Sequence, residues 1–132
     1  MTVALSPVEQ AFVAYLENGS GFRTSTRILN PRPAQFVRVT RTGGSSPVGL
    51  VVGRPTLLVE CWGGAGNDAS AWAVAAAVWP LCNVPHPVQV SASAWASRIE
   101  ATEPVNFPDS LSGCSRYQFI VTPTVRLLEV SP

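Results

Sequence analysis

The run Ala69-Ser70-Ala71-Trp72-Ala73-Val74-Ala75-Ala76-Ala77-Val78-Trp79 carries no charged side chain, and no Asp, Glu, Lys or Arg follows it until Arg98. Alanine is the best helix former, and the run has neither Gly nor Pro inside it. Asn67 or Asp68 stands in front as a cap, so a helix is predicted over 69–78 or slightly beyond, with Pro80 disrupting it. Trp72 and Trp79 lie seven residues apart and share a face; Val74 and Val78 fall roughly opposite. A helix that is apolar all round must be covered all round. A chain of 132 residues makes one domain, 1–132, and one sheet layer of such a domain covers only one side of a helix. Burial of two Trp side chains is worth about 10 kcal/mol as an upper bound. Two coverings stay open. Either a second subunit meets the helix, with Val74, Val78 and Trp79 at the contact, or the first helix and long loops close over it. A bilayer does not fit, because Ala71–Cys82 falls well short of ~20 apolar residues and Pro80, Pro85 and Pro87 follow.

The rest of the chain supplies the layers. Ser6-Pro7-Val8-Glu9 is a capping box with Pro at the first helical position. Val8, Ala11, Phe12, Tyr15 and Leu16 follow at helical spacing, and Gly19 and Gly21 stop the helix, placed at 6–18. Phe22–Leu29 and Gln35–Thr42 alternate as strands, separated by the rigid connector Asn30-Pro31-Arg32-Pro33. Gly43–Pro47 opens a loop of about twelve residues, long for a hairpin. A third strand lies near 55–62, with Leu57, Val59 and Cys61 on one parity. Val88–Ala101 is strand-like, but its parity switches between Ala94 and Trp95, which predicts a bulge or a late strand start. Pro104–Gly113 is a loop. The last strand, Ser115 to about Val130, sets Tyr117, Phe119, Val121, Val125 and Leu127 against Arg116, Gln118, Thr122, Thr124 and Arg126. Pro123 in it predicts an edge or a bulge. The order helix, three strands, helix, two strands predicts an α+β fold: a mostly antiparallel sheet of four to five strands with two helices packed on one face.

Charge and composition exclude several classes. Charged residues are 13% and the net charge is +1, every base being Arg, so a general nucleic-acid binder is not expected. Apolar content of 46% excludes disorder. Cys61, Cys82 and Cys114 are odd in number with no CxxC spacing, which predicts free thiols in a reducing cytosol. The start MTVALSPVEQ has no basic and apolar signal-peptide pattern. His86 is the single histidine, so it would have to serve any Ser–His–Asp, Cys–His or zinc arrangement, and it sits between Pro85 and Pro87 away from all of them. Gly64-Ala65-Gly66-Asn67-Asp68-Ala69 fits a dinucleotide-binding pattern between strand and helix. No acid follows at the ribose-binding distance, so a tight turn is the better assignment. Glu100, Glu103 and Asp109 are assigned as solvated loop acids. Thus no catalytic residue, metal or cofactor is expected. Arg38, Arg116 and Arg126 fall on the polar parities of their strands, where planar guanidiniums suit carboxylates; such a face is either a protein contact or simply solvated.

Four stretches in order carry a resemblance. They are Arg32-Pro33-Ala34-Gln35-Phe36-Val37-Arg38-Val39-Thr40-Arg41-Thr42-Gly43-Gly44, then Pro55-Thr56-Leu57-Leu58-Val59-Glu60-Cys61-Trp62, then the Ala-rich helix, then Pro108-Asp109 through Ser112-Gly113 to Ser115-Arg116-Tyr117-Gln118-Phe119. Together they resemble the tail terminator (tail completion) proteins of long-tailed phages infecting actinobacteria, over roughly residues 6–128. The resemblance implies a small α+β virion subunit, assembled in the host cytoplasm, that forms a ring, typically a hexamer. Such a ring caps the tail tube, stops polymerisation of the tube protein and presents a joining surface to the head-side connector. DNA passes through its lumen without sequence-specific binding, and no catalysis or cofactor is implied. The chain departs from the family at the second helix, which is shorter here and uncharged. Another neck component, such as a head-closure or stopper protein, is the alternative; it would show a β-barrel pattern rather than two helices. A non-viral binding domain or small enzyme is the third reading, and a pocket or titratable cluster around His86 would favour it.

Overall fold

The computed structural model describes residues 2–4, 8–48, 52–92, 94–126 and 128–130, with side chains described for 8–44, 52–92 and 94–125. The elements run β1 (Thr2–Ala4), α1 (Val8–Ser20), β2 (Thr24–Ser25), β3 (Phe36–Val48), β4 (Val52–Ala65), α2 (Asp68–Cys82), β5 (Val88–Ser91), β6 (Ala94–Ala101), β7 (Val105–Asn106), β8 (Cys114–Arg126) and β9 (Leu128–Val130). The fold is α+β, as its alternation of periods predicts. Its sheet is larger and more mixed than the expected four to five strands. Seven strands join in the order β2-β3-β4-β8-β6-β5 with β7 also on β8, and β1 pairs with β9 in a separate two-stranded ladder. Among the described residues every strand pairing is antiparallel except β2 with β3.

One core joins both helices to one face of this sheet. Val8, Ala11, Phe12 and Leu16 of α1 and Val74, Ala75, Val78 and Cys82 of α2 pack with Val37, Val39, Leu57, Val59, Cys61, Ile99, Phe119 and Val121 of the strands. The period-2 patterns of β4 and β8 thus point as the sequence predicts. Helix α1 touches β2 and β3 near one end of the strand order and β5 at the other, so the sheet curls around it. Gly21 ends α1 with φ 79°, a backbone conformation that costs glycine least, and its N–H reaches the Glu17 carbonyl at 2.9 Å. The expected capping residues Ser6 and Pro7 lie outside the described residues.

Five expectations are corrected. Pro80 does not end α2, which runs on through it to Cys82. Proline there forfeits only the bond its N–H would make to the Ala76 carbonyl, and the Leu81 carbonyl, one of the last four of the helix, accepts the Tyr15 hydroxyl at 2.8 Å. The strand expected over 22–29 shrinks to Thr24–Ser25, which pair with Val37 and Arg38. The loop expected between the second and third strands is instead an extension of the β3–β4 hairpin, whose ladder continues past Gly43 and Gly44 to Val48 opposite Val52. There, bulges and glycines at φ 146° and 138° mask the strand period. The single strand expected over 88–101 divides into the hairpin β5–β6, with Ser91 opposite Ala94, while the register shifts at Gln89–Ser91 and Ala96–Arg98 agree with the bulge that its parity switch predicts. Pro123 lies inside the sheet, on β8 between β4 and β6. The β4–β8 ladder pairs Gly53 with Val125 and Leu57 with Val121 and skips the positions between, where Pro55 falls opposite Pro123. The two residues that lack an N–H therefore share one gap in the ladder. Leu127, expected on the apolar face of the last strand, lies outside the described residues.

Candidate functional site

The sheet face turned away from the helices is built around a carboxylate. Glu60 on β4 lies directly opposite Arg38 on β3, and next to it Trp62 lies opposite Arg116 on β8. Arg38 Nη1 stands 3.5 Å from Glu60 Oε1, and Arg116 Nη1 donates to Glu60 Oε2 at 3.1 Å. Glu60 is 4% exposed. A carboxylate at that depth is tolerable only when neutralised, and two guanidiniums from the flanking strands neutralise it. The arginines are themselves held. Arg38 Nε donates to the Thr26 carbonyl at 3.4 Å and Arg116 Nε to the Phe107 carbonyl at 2.9 Å. The Arg116 guanidinium lies 4.8 Å from the Trp62 ring centre and 5.2 Å from that of Phe107, and Arg32 covers Trp62 at 5.1 Å. Phe36 stacks on Trp62 at 5.4 Å with the rings 8° apart. Each cation over a ring contributes about 0.5–2 kcal/mol, so ring contacts and ion pairs together hold the cluster.

Farther along the same face, Glu100 pairs with Arg54 at 3.4 Å and with Arg98 at 3.1 Å, all three about half-exposed. Exposed pairs of this kind add little stability. Their effect is on the field, since this face carries Arg32, Arg38, Arg54, Arg98 and Arg116 against Glu60, Glu100 and, beside Arg116, Asp109. A face so biased suits an acidic protein surface.

The second surface is the outer side of α2. Asn67 caps the helix, its Oδ1 accepting the Ser70 N–H at 3.1 Å, and Gly66 at φ 63° turns the chain into it. The glycine-rich run 64–67 is thus a tight turn. Gly63 lets α2 start against β4, because a Cβ there would stand 2.2 Å from Ser70 Oγ and 2.5 Å from the Ala71 nitrogen. The inward stripe is Ala71, Val74, Ala75, Val78 and Cys82, each 0% exposed. Trp72 is 50% exposed and touches Tyr117 edge-on, with ring centres 5.2 Å apart. Trp79 lies half-buried, its Nε1 donating to the Thr102 carbonyl at 2.8 Å. Between the helix and the segment after β6 runs a groove of about 340 Å³, floored by Trp72, Ala76, Trp79, Pro80 and Pro104 and rimmed by Glu103.

The arrangement reverses the expected orientation of α2. Val74 and Val78 are enclosed by their own subunit and have no surface to offer a neighbour, while Trp72 faces out. The reason is size: the narrow stripe of Ala and Val lets α2 settle close onto β4 and β8, where two indoles would hold it off. Trp79 keeps an accessible flank. Of the arginines assigned to the polar parities, Arg38 and Arg116 converge on Glu60, and the side chain of Arg126 lies outside the described residues. Sequence reasoning missed Glu60 as their common partner. The signal was partial: Glu60 is an acid on the polar parity of its strand, but only the tertiary order sets that strand between two arginine-bearing ones.

Other titratable groups stay apart. Among the described residues no three His, Cys, Asp or Glu side chains gather as metal ligands would. His86 is exposed, its Nδ1 3.2 Å from the Pro87 carbonyl. Burial pushes the Cys61 and Cys82 thiols well above their ordinary values, with further upward pushes from Glu60 on Cys61 and from Cys61 on Cys82. Hydrogen bonds from the Ser112 side chain and backbone hold the Asp109 carboxyl below its usual value. Among the described residues no helix is long and apolar enough to cross a membrane. Compared with family models and with curated proteins, the sequence finds no match.

Proposed function

We propose that the chain is a structural virion subunit of the tail-terminator kind. Copies assemble into a ring, a hexamer by resemblance, that caps the tail tube, halts addition of tube protein and offers its far side to the head-side connector. DNA passes through the lumen without sequence-specific binding, and the role needs no catalysis, metal or cofactor. The ring is assembled in the host cytoplasm and resides in the virion at the junction of tail and neck.

The observation that carries this reading is the outer side of α2. A half-exposed Trp72 beside an apolar groove, on a helix with no charge beyond Asp68, is a surface that another protein covers with profit. Two further features support it. The stretches Arg41–Gly44, Val59–Trp62 and Ser115–Phe119, which carry the family resemblance, fall on β3, β4 and β8, three consecutive strands of one sheet. The Arg-rich outer face of those strands provides a second, chemically different contact surface, as a subunit with unlike neighbours above and beside it requires.

The test is growth of purified tube protein in the presence of the purified chain. Tubes are expected to stop lengthening at the end that binds it, with density for a ring there by electron microscopy. Tubes that lengthen unhindered would overturn the reading.

A further inference from the structure

The groove on α2 has a chemical signature beyond its apolar floor. Among the described acidic side chains, Glu103 at its rim alone has no hydrogen bond or ion pair. Glu9 accepts the Arg41 N–H, Glu17 the Thr24 N–H, Asp68 the Ser115 hydroxyl and Asp109 the Ser112 N–H, while Glu60 and Glu100 are paired with arginines. An occupant that fits would bring one apolar side chain for the floor and one cation for the rim.

The same chain presents that pair elsewhere. Among the described residues, the guanidiniums of Arg23, Arg27 and Arg41 make no hydrogen bond or ion pair, and only Arg27 adjoins an exposed large apolar residue, Ile28, 39% exposed. The segment is pinned. Ser25 Oγ bonds both the Arg27 carbonyl and the Arg27 N–H, and the Thr26 carbonyl accepts Arg38 Nε. The backbone that presents Arg27 and Ile28 is therefore already fixed, and only their side chains are ordered on docking. They follow β2, at the end of the strand order, whereas the groove lies over α2, which packs on β4, β8 and β6. Leu111 is more exposed, at 95%, but it stands beside Asp109, whose charge matches that of Glu103.

We infer that the groove seats a second copy of this chain, head to tail: Ile28 of one copy enters between Trp72 and Pro104 of the next, and Arg27 pairs with Glu103. Unlike patches on one subunit make a heterologous contact, which closes into a ring when the rotation per subunit allows. The inference rests on the ring reading above and names the surfaces that join.

Charge reversal tests it on the full chain, by sedimentation of wild type, Glu103→Arg, Arg27→Glu and an equimolar mixture of the two variants, with circular dichroism to show that each is folded. Each variant alone sets like charges face to face and is expected to raise the midpoint concentration of assembly roughly tenfold or more. Where the two variants alternate around an even-numbered ring such as a hexamer, the mixture restores opposite charges at every contact and is expected to recover assembly. A wild type that stays monomeric, assembly indifferent to both reversals, a mixture that fails to recover, or assembly lost in Leu111→Ser and kept in Arg27→Glu would each overturn the inference. Tube-growth arrest with the same samples separates the two claims. Arrest by a ring that ignores both reversals defeats the inference and leaves the functional reading standing; assembly that follows the reversals without arrest does the opposite.

Discussion

Glu60 is the residue on which the outer sheet face depends. Its carboxylate answers two guanidiniums that come from different strands, so it ties β3, β4 and β8 together across their ladders. Glu60→Gln keeps the shape and removes the charge, leaving Arg116, with its side chain only 13% exposed, without its counter-ion. Opening a buried pair costs about 3–5 kcal/mol, and because Arg38 is a third exposed the expected loss is about 2–3 kcal/mol. Urea denaturation measures it; an unchanged midpoint would show that water already neutralises the pair. Asp109 gives a pH signature. The folded turn lowers its pKa, so the stabilisation it adds is present in full above its ordinary value and is lost as pH falls through the lowered one. Asp109→Asn is therefore expected to be less stable than wild type at neutral pH, with the gap closing in strong acid. Denaturation of both proteins across that range checks it.

At the scale of elements, α2 shows how side-chain size decides orientation. Its apolar residues surround it, so periodicity alone leaves two ways to set it on the sheet. The structure takes the one that turns Val74 and Val78 inward at 0% exposure and leaves Trp72 at 50%. Val78→Glu, which buries a charge with no partner, is expected to abolish folding, while Trp72→Glu is expected to leave the circular dichroism spectrum and melting cooperativity intact. The reverse result would restore the orientation expected from the sequence. The start of α2 depends on a close approach at Gly63, where a methyl group would stand 2.2 Å from Ser70 Oγ. Gly63→Ala is expected to destabilise by about 2 kcal/mol or more, measured by urea denaturation. The remaining elements differ in legibility for definite reasons. β4 and β8 are half-buried, so alternation reveals them. The β3–β4 extension is hidden by glycines and bulges, which break the period while the ladder continues. The β5–β6 hairpin is hidden by its short turn, which resembles a parity slip within one strand.

At the scale of the molecule the curled sheet and the two helices enclose a core, with Cys61 on β4 and Cys82 at the end of α2 both inside it at 0% exposure. Burial raises both thiols, so neither supplies thiolate in the native state, whereas Cys114 lies partly exposed at the start of β8. Of the three thiols, one is expected to react with a thiol reagent in native protein, and the other two only as fast as the molecule unfolds. Two or three fast thiols would mean that the core opens locally around α2. The candidate contact surfaces also belong to this scale. The arginine cluster needs β3, β4 and β8 side by side, and the α2 groove needs the segment after β6 to return beneath the helix.

By itself the sequence determined what local chemistry can determine: two helices, the half-buried faces of β4 and β8, the tight turn into α2, and arginines set on polar strand parities. Each follows from period, cap or turn within a few residues. Tertiary structure alone decided which stripe of α2 faces the core, that Arg38 and Arg116 meet on Glu60, that Pro55 and Pro123 share a gap, and that Glu103 stands unpaired beside two tryptophans. Those outcomes depend on which distant strands become neighbours and how closely they pack. Periodicity within one segment carries no information about the size and charge of what will lie against it.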